Sequence, residues 1–434
     1  MGDNITIIGG GLAGAEAAWQ ASRAGVNVRL YEMRPTKKTP VHQTGLLAEL
    51  VCSNSLKSNL LSNASGLLKE EMRLLESIVI RCADNNRVPA GEALAVDRER
   101  FAECLTAHVA DRPNVEIIRD EAEEVPRDGI TIIASGPLTS EALAQAISKL
   151  TGAGYLYFYD AVAPTVSADS IDYTKIFKAS RYGKGEAAYL NCPMTADEYN
   201  DFWEALVSAE KVPLPEYEPL RLFEGCMPIE ELAARGRETL LFGTMKPVGL
   251  VDPRTGKRPY AVVQLRQENA EATLWGLVGF QTRLKWGEQE RVFRMIPGLQ
   301  NADFVRFGVM HRNTYINSPE LLSPTLQMRA EALSHILFAG QITGVEGYVE
   351  SAATGLVAGI NAAKLARGES PVVFPRESMI GSLVHYITTP QTADFQPMNA
   401  NFGILPKPEE KIRNKKERQA RQVERALQAI KSMV

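Results

Sequence analysis

Residues 5–14 read ITIIGGGLAG, and this short stretch decides the fold class. Residues 4–8 are apolar and largely β-branched, three glycines follow, and residues 12–23 are Ala-rich with helical spacing. Residues 26–31 (VNVRLY) have the character of a second strand, which ends at Glu32. This order predicts a strand, a tight turn, a helix and a parallel second strand. We therefore predict an α/β chain with a Rossmann-like dinucleotide-binding domain.

The glycines of this turn have different tasks. Gly9 permits the sharp bend, Gly11 lets a pyrophosphate approach the backbone, and Gly14 lets the helix pack closely on the strand. Glu32 ends the second strand, where its carboxylate would accept a hydrogen bond from a ribose hydroxyl. The alternative is a tight turn that binds no nucleotide, and the complete strand-helix-strand unit disfavours it.

Two later segments favour FAD over NAD as the bound nucleotide. Residues 129–134 (GITIIA) predict another strand of the same sheet, and residues 336–347 (ILFAGQITGVEG) run from a strand into a helix. A nicotinamide fold needs no such distant return, whereas a helix N-terminus beside a flavin would favour the anionic reduced form. The predicted cofactor-binding residues are Gly9, Gly10, Gly11, Leu12, Ala13, Gly14, Glu32, Gly340, Gln341 and Tyr348.

The middle of the chain has a different character. Aromatic, Pro and Gly residues increase between about residues 155 and 309, with alternating runs such as YAVVQL at 260–265. This predicts an α+β substrate domain of residues 151–309, inserted into a discontinuous FAD-binding domain of residues 1–150 and 310–434 that ends in a basic helix. GKGEAA at 183–188 resembles a second glycine turn, but no apolar strand precedes it, so we predict no second nucleotide domain there.

Composition narrows the class of protein. The 434 residues carry 48 Lys+Arg and 52 Asp+Glu, so a polyanion would have to meet a local basic patch, such as the C-terminal helix. The five cysteines are scattered without a CxxC, which argues against a disulfide framework or a metal site and favours a cytoplasmic location. No run approaches the roughly 18 apolar residues of a membrane span, so we predict no membrane partner. The oligomeric state stays open.

Several long, irregular segments resemble one known family. They are residues 31–35 (YEMRP), 49–55 (ELVCSNS), 180–194 (SRYGKGEAAYLNCPM), 223–228 (FEGCMP), 310–318 (MHRNTYINS), 340–351 (GQITGVEGYVES) and 395–403 (FQPMNANFG). Together with the glycine turn they resemble the bacterial folate- and FAD-dependent tRNA (uracil-5-)-methyltransferases, relatives of the glucose-inhibited division protein A flavoproteins. The resemblance spans almost the whole chain and is far more specific than a glycine motif.

The resemblance implies methylation of the T-loop uridine of tRNA at carbon 5, with methylenetetrahydrofolate as carbon donor and electrons from NAD(P)H through FAD. A methylene group is two electrons short of a methyl group, so a folate-based enzyme needs a hydride source. Carbon 5 becomes nucleophilic once a thiolate adds to carbon 6. The family match makes Cys226 the candidate nucleophile or base and Cys52 the second catalytic candidate, while a small buried hydrophobic residue is the alternative interpretation of each.

Two other functions remain open from the sequence. One is an NAD(P)H-dependent flavin oxidoreductase that acts on a small molecule, and the other is a non-catalytic RNA-binding flavoprotein. The lack of a CxxC argues against a disulfide reductase within the first class. Methyl transfer to tRNA distinguishes the predicted enzyme from both.

Overall fold

The computed structural model of the protein describes residues 4–39, 41–152, 156–183, 185–213, 227–390, 395–408 and 412–433. The strands are β1 (Asn4–Ile8), β2 (Asn27–Tyr31), β3 (Ser55–Ser58), β4 (Arg87–Val88), β5 (Ala93–Val96), β6 (Val115–Ile118), β7 (Ile130–Ile133), β8 (Leu156–Ala161), β9 (Thr165–Ser167), β10 (Phe177–Ala179), β11 (Tyr189–Met194), β12 (Ala261–Gln267), β13 (Leu274–Leu277), β14 (Phe304–Arg306), β15 (Met310–Tyr315) and β16 (Ile336–Phe338). The helices are α1 (Leu12–Arg23), α2 (Ala64–Leu74), α3 (Ile78–Asn85), α4 (Arg98–Ala110), α5 (Glu141–Thr151), α6 (Ala196–Ser208), α7 (Ile229–Ala234), α8 (Thr239–Phe242), α9 (Trp286–Phe293), α10 (Ser318–Leu321), α11 (Tyr348–Ala366), α12 (Met379–Thr388) and α13 (Lys415–Lys431).

A parallel sheet of five strands carries the glycine turn. Its order is β16-β7-β1-β2-β6, and every neighbouring pair is parallel. The chain moves from β1 to β2 on one side and later returns to β7 on the other, so the strand order reverses beside β1. Ligands of open α/β sheets bind at the carboxyl ends of the strands at such a point. The predicted α/β, Rossmann-like fold class is confirmed.

Helices α1 and α11 pack so closely that their backbones are in contact. A Cβ atom on Gly355 would lie 2.2 Å from the carbonyl oxygen of Ala13, and one on Gly359 would lie 2.6 Å from that of Ala17. Both distances are far below a van der Waals contact. The glycines of α11 therefore bring the late segment of the chain directly onto the first helix.

A second sheet occupies the middle of the chain. Six strands follow the order β10-β11-β12-β13-β9-β14, and their pairings are antiparallel. Helices α6 and α9 help to cover a separate core that contains Tyr199, Phe202, Phe280 and Phe293. Residues 183–188 connect the antiparallel strands β10 and β11, so the second glycine motif is not a strand-turn-helix unit. The domain boundaries proposed from the sequence stay a prediction.

The spacing of residues 67–85 predicts one helix, whereas the structure has two. The pattern at residues 67–85 divides into α2 and α3, and Glu76 between them has a φ of +55°. The break is stabilised by Glu16, whose Oε2 accepts hydrogen bonds from Ser77 Oγ (2.6 Å) and Val79 N (3.0 Å). This carboxylate satisfies an N-terminal amide of α3, which explains why a second helix begins there.

One pair of cysteines is bonded, although the scattered cysteines argue against a disulfide framework. Cys82 of α3 and Cys104 of α4 are joined as a disulfide, with their Cα atoms 5.9 Å apart. Two separate helices bring them together, so neither a CxxC spacing nor any local pattern reveals the pair. Cys104 also lies one helical turn before His108, whose Nδ1 is 3.7 Å from its Sγ.

The charged pattern predicts a basic C-terminal helix from about residue 409, whereas α13 begins at Lys415. Its capping residue is Asn414, whose Oδ1 accepts a hydrogen bond from Lys416 N (2.9 Å). Gln422, Ala426 and Ile430 form its buried face. Residues 409–411 lie outside the described part of the chain. Among the described residues, no helix is long and apolar enough to cross a membrane.

Candidate active site

The glycines of the turn differ in how much space surrounds them. A Cβ on Gly14 would lie 1.8 Å from the carbonyl oxygen of Gly9, and a Cβ on Gly10 would lie 2.7 Å from Glu32 Oε2. Gly9 itself has a φ of +107°, which disfavours any other residue. A Cβ on Gly11, by contrast, meets nothing within 4 Å. Among the glycines of the turn, Gly11 at the N-terminus of α1 therefore leaves its backbone open to a phosphate group.

Glu32 is held at the end of β2 by a buried arginine that sequence reasoning did not single out. Nε and Nη2 of Arg34 donate to the two oxygens of Glu32 (2.8 and 3.0 Å), and Gly10 N donates to Oε2 (3.1 Å). Nη1 of Arg34 donates to Glu49 (3.2 Å). Burial raises the pKa of the Glu32 carboxyl, but the hydrogen bonds and charge of Arg34 outweigh it and lower that pKa below the usual value. Glu32 is therefore an ionised acceptor.

Residues 336–347, the third segment predicted to bind the nucleotide, bring the N-terminus of α11 to the same place. Gly340 follows β16 with a φ of +83°, and its N–H donates to Thr354 Oγ1 (2.8 Å). Gln341 Nε2 donates to Glu346 Oε2 (3.0 Å). The positive end of the dipole of a 19-residue helix thus points into the site.

These segments surround one cavity of about 370 Å³. The predicted site residues that line it are Gly11, Leu12, Ala13, Glu32, Cys52, Gly340, Gln341 and Tyr348. Gly9, Gly10 and Gly14 lie behind the lining and shape the turn. Residues more than 300 positions apart in the chain therefore line one cavity.

Cys52 lies in this cavity wall and is positioned by Tyr348. The Tyr348 hydroxyl oxygen accepts hydrogen bonds from Cys52 N (2.7 Å) and Ser53 N (3.2 Å). Cys52 Sγ lies 3.7 Å from the carbonyl oxygen of Ala161. Burial and the nearby Cys52 raise the pKa of the Tyr348 hydroxyl, which therefore keeps its proton. In this structure Tyr348 fixes the backbone of the candidate thiol.

The remaining cysteines differ in their suitability. Cys226 lies outside the described residues, so its catalytic role stays a prediction. Cys192 is fully buried on β11, and burial raises the pKa of its thiol to about 12. A thiol with that pKa is almost entirely protonated near neutral pH and is a poor nucleophile.

A buried carboxylate is a further lining residue that the sequence analysis missed. Glu350, in the first turn of α11, accepts hydrogen bonds at Oε1 from Lys57 Nζ and Ala400 N (3.0 Å each). Its Oε2 is buried and has no hydrogen-bond partner among the described residues. An orphaned carboxylate oxygen in a cavity wall is an acceptor for a bound ligand. The long helical pattern gave no reason to separate Glu350 from ordinary helix residues.

A second cavity, of about 150 Å³, adjoins Cys52 from the other side. Cys52, Ser53 and Gln281 line both cavities. The second one is bordered by Arg98 at the start of α4 and by Arg266 and Glu268 at the end of β12. None of these three residues belongs to a recognisable motif, and α4 and β12 are distant in sequence, so no sequence signal indicated them.

The charged residues of the second cavity form a fixed network. Arg98 Nε donates to Glu268 Oε2 (2.6 Å), and Arg98 Nη1 donates to the carbonyl oxygen of Leu50 (2.8 Å). Arg266 donates to Asn54 Oδ1 and Ser53 Oγ (2.7 Å each). Burial lowers the pKa of Arg98, but the charge and hydrogen bond of Glu268, together with Tyr348 and Cys52, outweigh it and raise that pKa. The cavity next to Cys52 therefore has a rigid, charged wall.

Comparisons with known proteins agree with this architecture. Residues 4–370 match the sequence model of the family described as "Glucose inhibited division protein A". A relative from Pelotomaculum thermopropionicum, named methylenetetrahydrofolate--tRNA-(uracil-5-)-methyltransferase TrmFO, is 64% identical over 99% of this chain and 98% of its own length. This chain belongs to the TrmFO group of the glucose inhibited division protein A family. The family resemblance seen in the sequence is confirmed.

Other TrmFO relatives are similar over nearly their whole length. The protein of that name from Enterococcus faecalis is 62% identical over 98% of both chains, and the one from Bacillus subtilis is 61% identical over 99% of this chain and 98% of its own. Among solved structures, Aquifex aeolicus GidA superposes with a TM-score of 0.71 at 18% identity, covering 99% of this chain and 73% of GidA. At that identity, the match to GidA supports the fold alone.

Proposed function

We propose that this chain methylates carbon 5 of the T-loop uridine of tRNA, with methylenetetrahydrofolate as carbon donor and FADH2, reduced by NAD(P)H, as electron donor. One observation carries the proposal: three distant nucleotide-binding segments and Cys52 line a single cavity. Its context is a chain 60–64% identical to relatives named for this reaction.

The cavity has features that fit FAD. The open backbone at Gly11 suits a pyrophosphate, and the ionised Glu32 suits a ribose hydroxyl. The N-terminus of α11 suits the pyrimidine end of a reduced flavin. Glu350 adds an acceptor atom within the described residues that has no partner of its own. When bound, the flavin supplies the two electrons that convert a methylene group into a methyl group.

The protein residues have binding and positioning roles in this proposal. Tyr348 fixes the Cys52 backbone, so that the thiol faces the reacting groups in a constant geometry. Cys226 is proposed as the nucleophile that adds to carbon 6 of the uracil ring, or as the general base that removes the proton from carbon 5. Cys52 is the second catalytic thiol. Each role requires a thiolate close to the substrate.

The decisive experiment uses the purified flavoprotein with a T-arm RNA transcript, NADPH and methylenetetrahydrofolate labelled in its one-carbon unit. Label in a methyl group on carbon 5 of the T-loop uridine is expected, and none should appear when folate or NADPH is omitted. Oxidation of NADPH without labelled RNA would favour an oxidoreductase of small molecules and would contradict the proposal.

The cysteine roles are tested in the same assay. Cys226→Ala and Cys52→Ala are each expected to keep the flavin absorbance and to lose methyl transfer, while Cys192→Ala, at a buried thiol, serves as the control. Full methylation by either of the first two variants would remove the catalytic role of that residue.

A further inference from the structure

The cavity of about 150 Å³ beside Cys52 has the size and polarity of a site for one small ring. We propose that it binds the pyrimidine ring of the substrate uridine, and that Arg98, Glu268 and Arg266 recognise the ring edge formed by O2, N3–H and O4. This inference rests on the proposed function and assigns the subsite in which the substrate base is held.

The order of the three side chains matches the edge of uracil. That edge presents an acceptor, a donor and an acceptor, and the wall presents a guanidinium, a carboxylate and a guanidinium. Glu268 lies between the two arginines, because its Oε2 accepts from Arg98 Nε at 2.6 Å and its Oε1 lies 3.8 Å from Arg266 Nη2. The carboxylate can therefore accept the N3–H while a guanidinium on either side donates to O2 or O4.

Both arginines are immobilised by other contacts and still have N–H groups to offer. Arg98 uses Nε for Glu268 and Nη1 for the carbonyl oxygens of Leu50 and Val51. Arg266 uses Nε and Nη2 for Asn54 and Ser53. Within the described chain, no hydrogen bond is found for Nη2 of Arg98 or Nη1 of Arg266. Donors that are fixed before the ligand arrives lose little conformational entropy on binding it.

Glu268 is buried at the cavity wall, where a glycine makes room for its side chain. Its side chain is 5% exposed, and a Cβ on Gly276 would lie 2.3 Å from its Oε1. Glycine at this position of β13 therefore leaves room for the carboxylate at the cavity wall. Burying a carboxylate is costly unless it is paired and hydrogen-bonded, and here the paired oxygen faces Arg98 while Oε1 lies toward the second arginine.

The orientation places the reactive side of the ring next to sulfur. In uracil, carbon 6 lies across the ring from N3, and carbon 5 is adjacent to carbon 6. A ring whose N3 edge contacts Glu268 therefore presents its C5–C6 bond away from the charged wall. Cys52 and Gln281 line both this cavity and the larger one, so the boundary between the cavities contains the candidate thiol.

The same wall discriminates against cytosine. Cytosine presents an amino donor in place of O4 and an unprotonated N3, so it would meet an arginine with a donor and a carboxylate with an acceptor. Sites built to hydrogen-bond a substrate group reject analogues that lack the group by up to about 10⁴–10⁵-fold. Recognition of the base after it leaves its stack is the usual mode of enzymes that modify bases.

The test compares T-arm RNAs that carry uridine or N3-methyluridine at the target position. With the wild-type holoenzyme, the N3-methyl group should lower kcat/KM for methyl transfer at least 100-fold, because it removes the donor and collides with Glu268. Glu268→Gln should lower kcat/KM for uridine RNA 10- to 100-fold and should affect N3-methyluridine RNA less. The ratio of the two kcat/KM values should therefore be smaller than in the wild type. Its flavin absorbance and its KM for methylenetetrahydrofolate should not change.

The matched control is Glu271→Gln, which alters an exposed carboxylate near the same strand whose partner is Arg100. It should behave as wild type. Equal wild-type rates on uridine and N3-methyluridine would overturn the proposal, and this arm does not depend on the folding of any variant. The proposal would also be overturned if Glu268→Gln kept the full wild-type preference for uridine over N3-methyluridine. An effect of this variant on the KM for methylenetetrahydrofolate alone would overturn it as well. Absence of label in wild-type uridine RNA would instead contradict the proposed function.

Discussion

At the scale of single residues, the hydroxyl of Tyr348 holds the backbone at Cys52 and Ser53. We expect Tyr348→Phe to remove the acceptor of the Cys52 and Ser53 amides while it leaves the ring in place. Leaving buried donors unsatisfied costs about 1–3 kcal/mol, so methyl transfer should fall roughly 10- to 100-fold. Single-turnover methylation measures the effect, and the flavin spectrum serves as the internal control. An unchanged rate would show that Tyr348 does not position the thiol.

Lys69 gives the unfolding free energy a specific dependence on pH. Its Nζ donates to the carbonyl oxygen of Leu56 (2.7 Å), and burial lowers its pKa from 10.5 to about 7. Between those values the unfolded chain binds more protons than the folded one, so this residue makes stability rise with pH from about 7 to 10.5. In denaturant titrations, the unfolding free energy of Lys69→Met should lack this rise with pH, which is at most about 1.4 kcal/mol per pH unit. The exposed Lys149→Met is the control, and identical pH profiles for wild type and Lys69→Met would contradict the assignment.

At the scale of secondary-structure elements, the contact between α1 and α11 holds the site together. Gly355→Ala would place a Cβ 2.2 Å from the carbonyl oxygen of Ala13, so the helices must separate. We expect a loss of about 1–3 kcal/mol in unfolding free energy and weaker retention of flavin. The matched control is Gly287→Ala in α9, where the added Cβ meets nothing within 4 Å and should be neutral or slightly stabilising. Equal stability of the two variants would show that the close packing is not required.

The elements that sequence could predict are those whose signals are local. β1, α1 and β2 follow from one continuous pattern, and β7, β16 and α11 follow from apolar runs beside glycines. The break between α2 and α3 was missed because it depends on Glu16, which lies 60 positions earlier. The same limit applies to the disulfide between α3 and α4.

The candidate site divides in the same way. Gly11, Glu32 and Gly340 belong to a motif whose spacing is fixed by the nucleotide, so the sequence indicates them. Arg98, Arg266 and Glu268 have no such spacing, since their arrangement arises only when α4 packs beside the end of β12. Arg34 was present in a quoted segment, but only the structure gives its contact with Glu32.

At the scale of the whole molecule, an acidic chain has to bind a polyanion through a local surface. The exposed side of α13 carries lysines and arginines, while its buried face packs on the body of the protein. We expect Lys416→Glu to weaken binding of T-arm RNA several-fold and to reduce the slope of log affinity against log salt by about one. Filter binding across a salt series would measure both. Lys149→Glu on α5 makes the same charge change elsewhere, and equal losses in the two variants would indicate a nonspecific charge effect.

The position of β16 at the edge of the parallel sheet has a consequence for synthesis on the ribosome. β1, α1 and β2 emerge first, yet the edge strand β16 and the helix α11, which packs on α1, follow only after roughly 300 further residues. At about 5–20 residues per second, synthesis would take roughly 15–60 seconds more before α11 could pack on α1 and complete the cavity. Prematurely terminated chains that stop before α11 would consequently expose the apolar face of α1, which makes them candidates for chaperone capture and proteolysis.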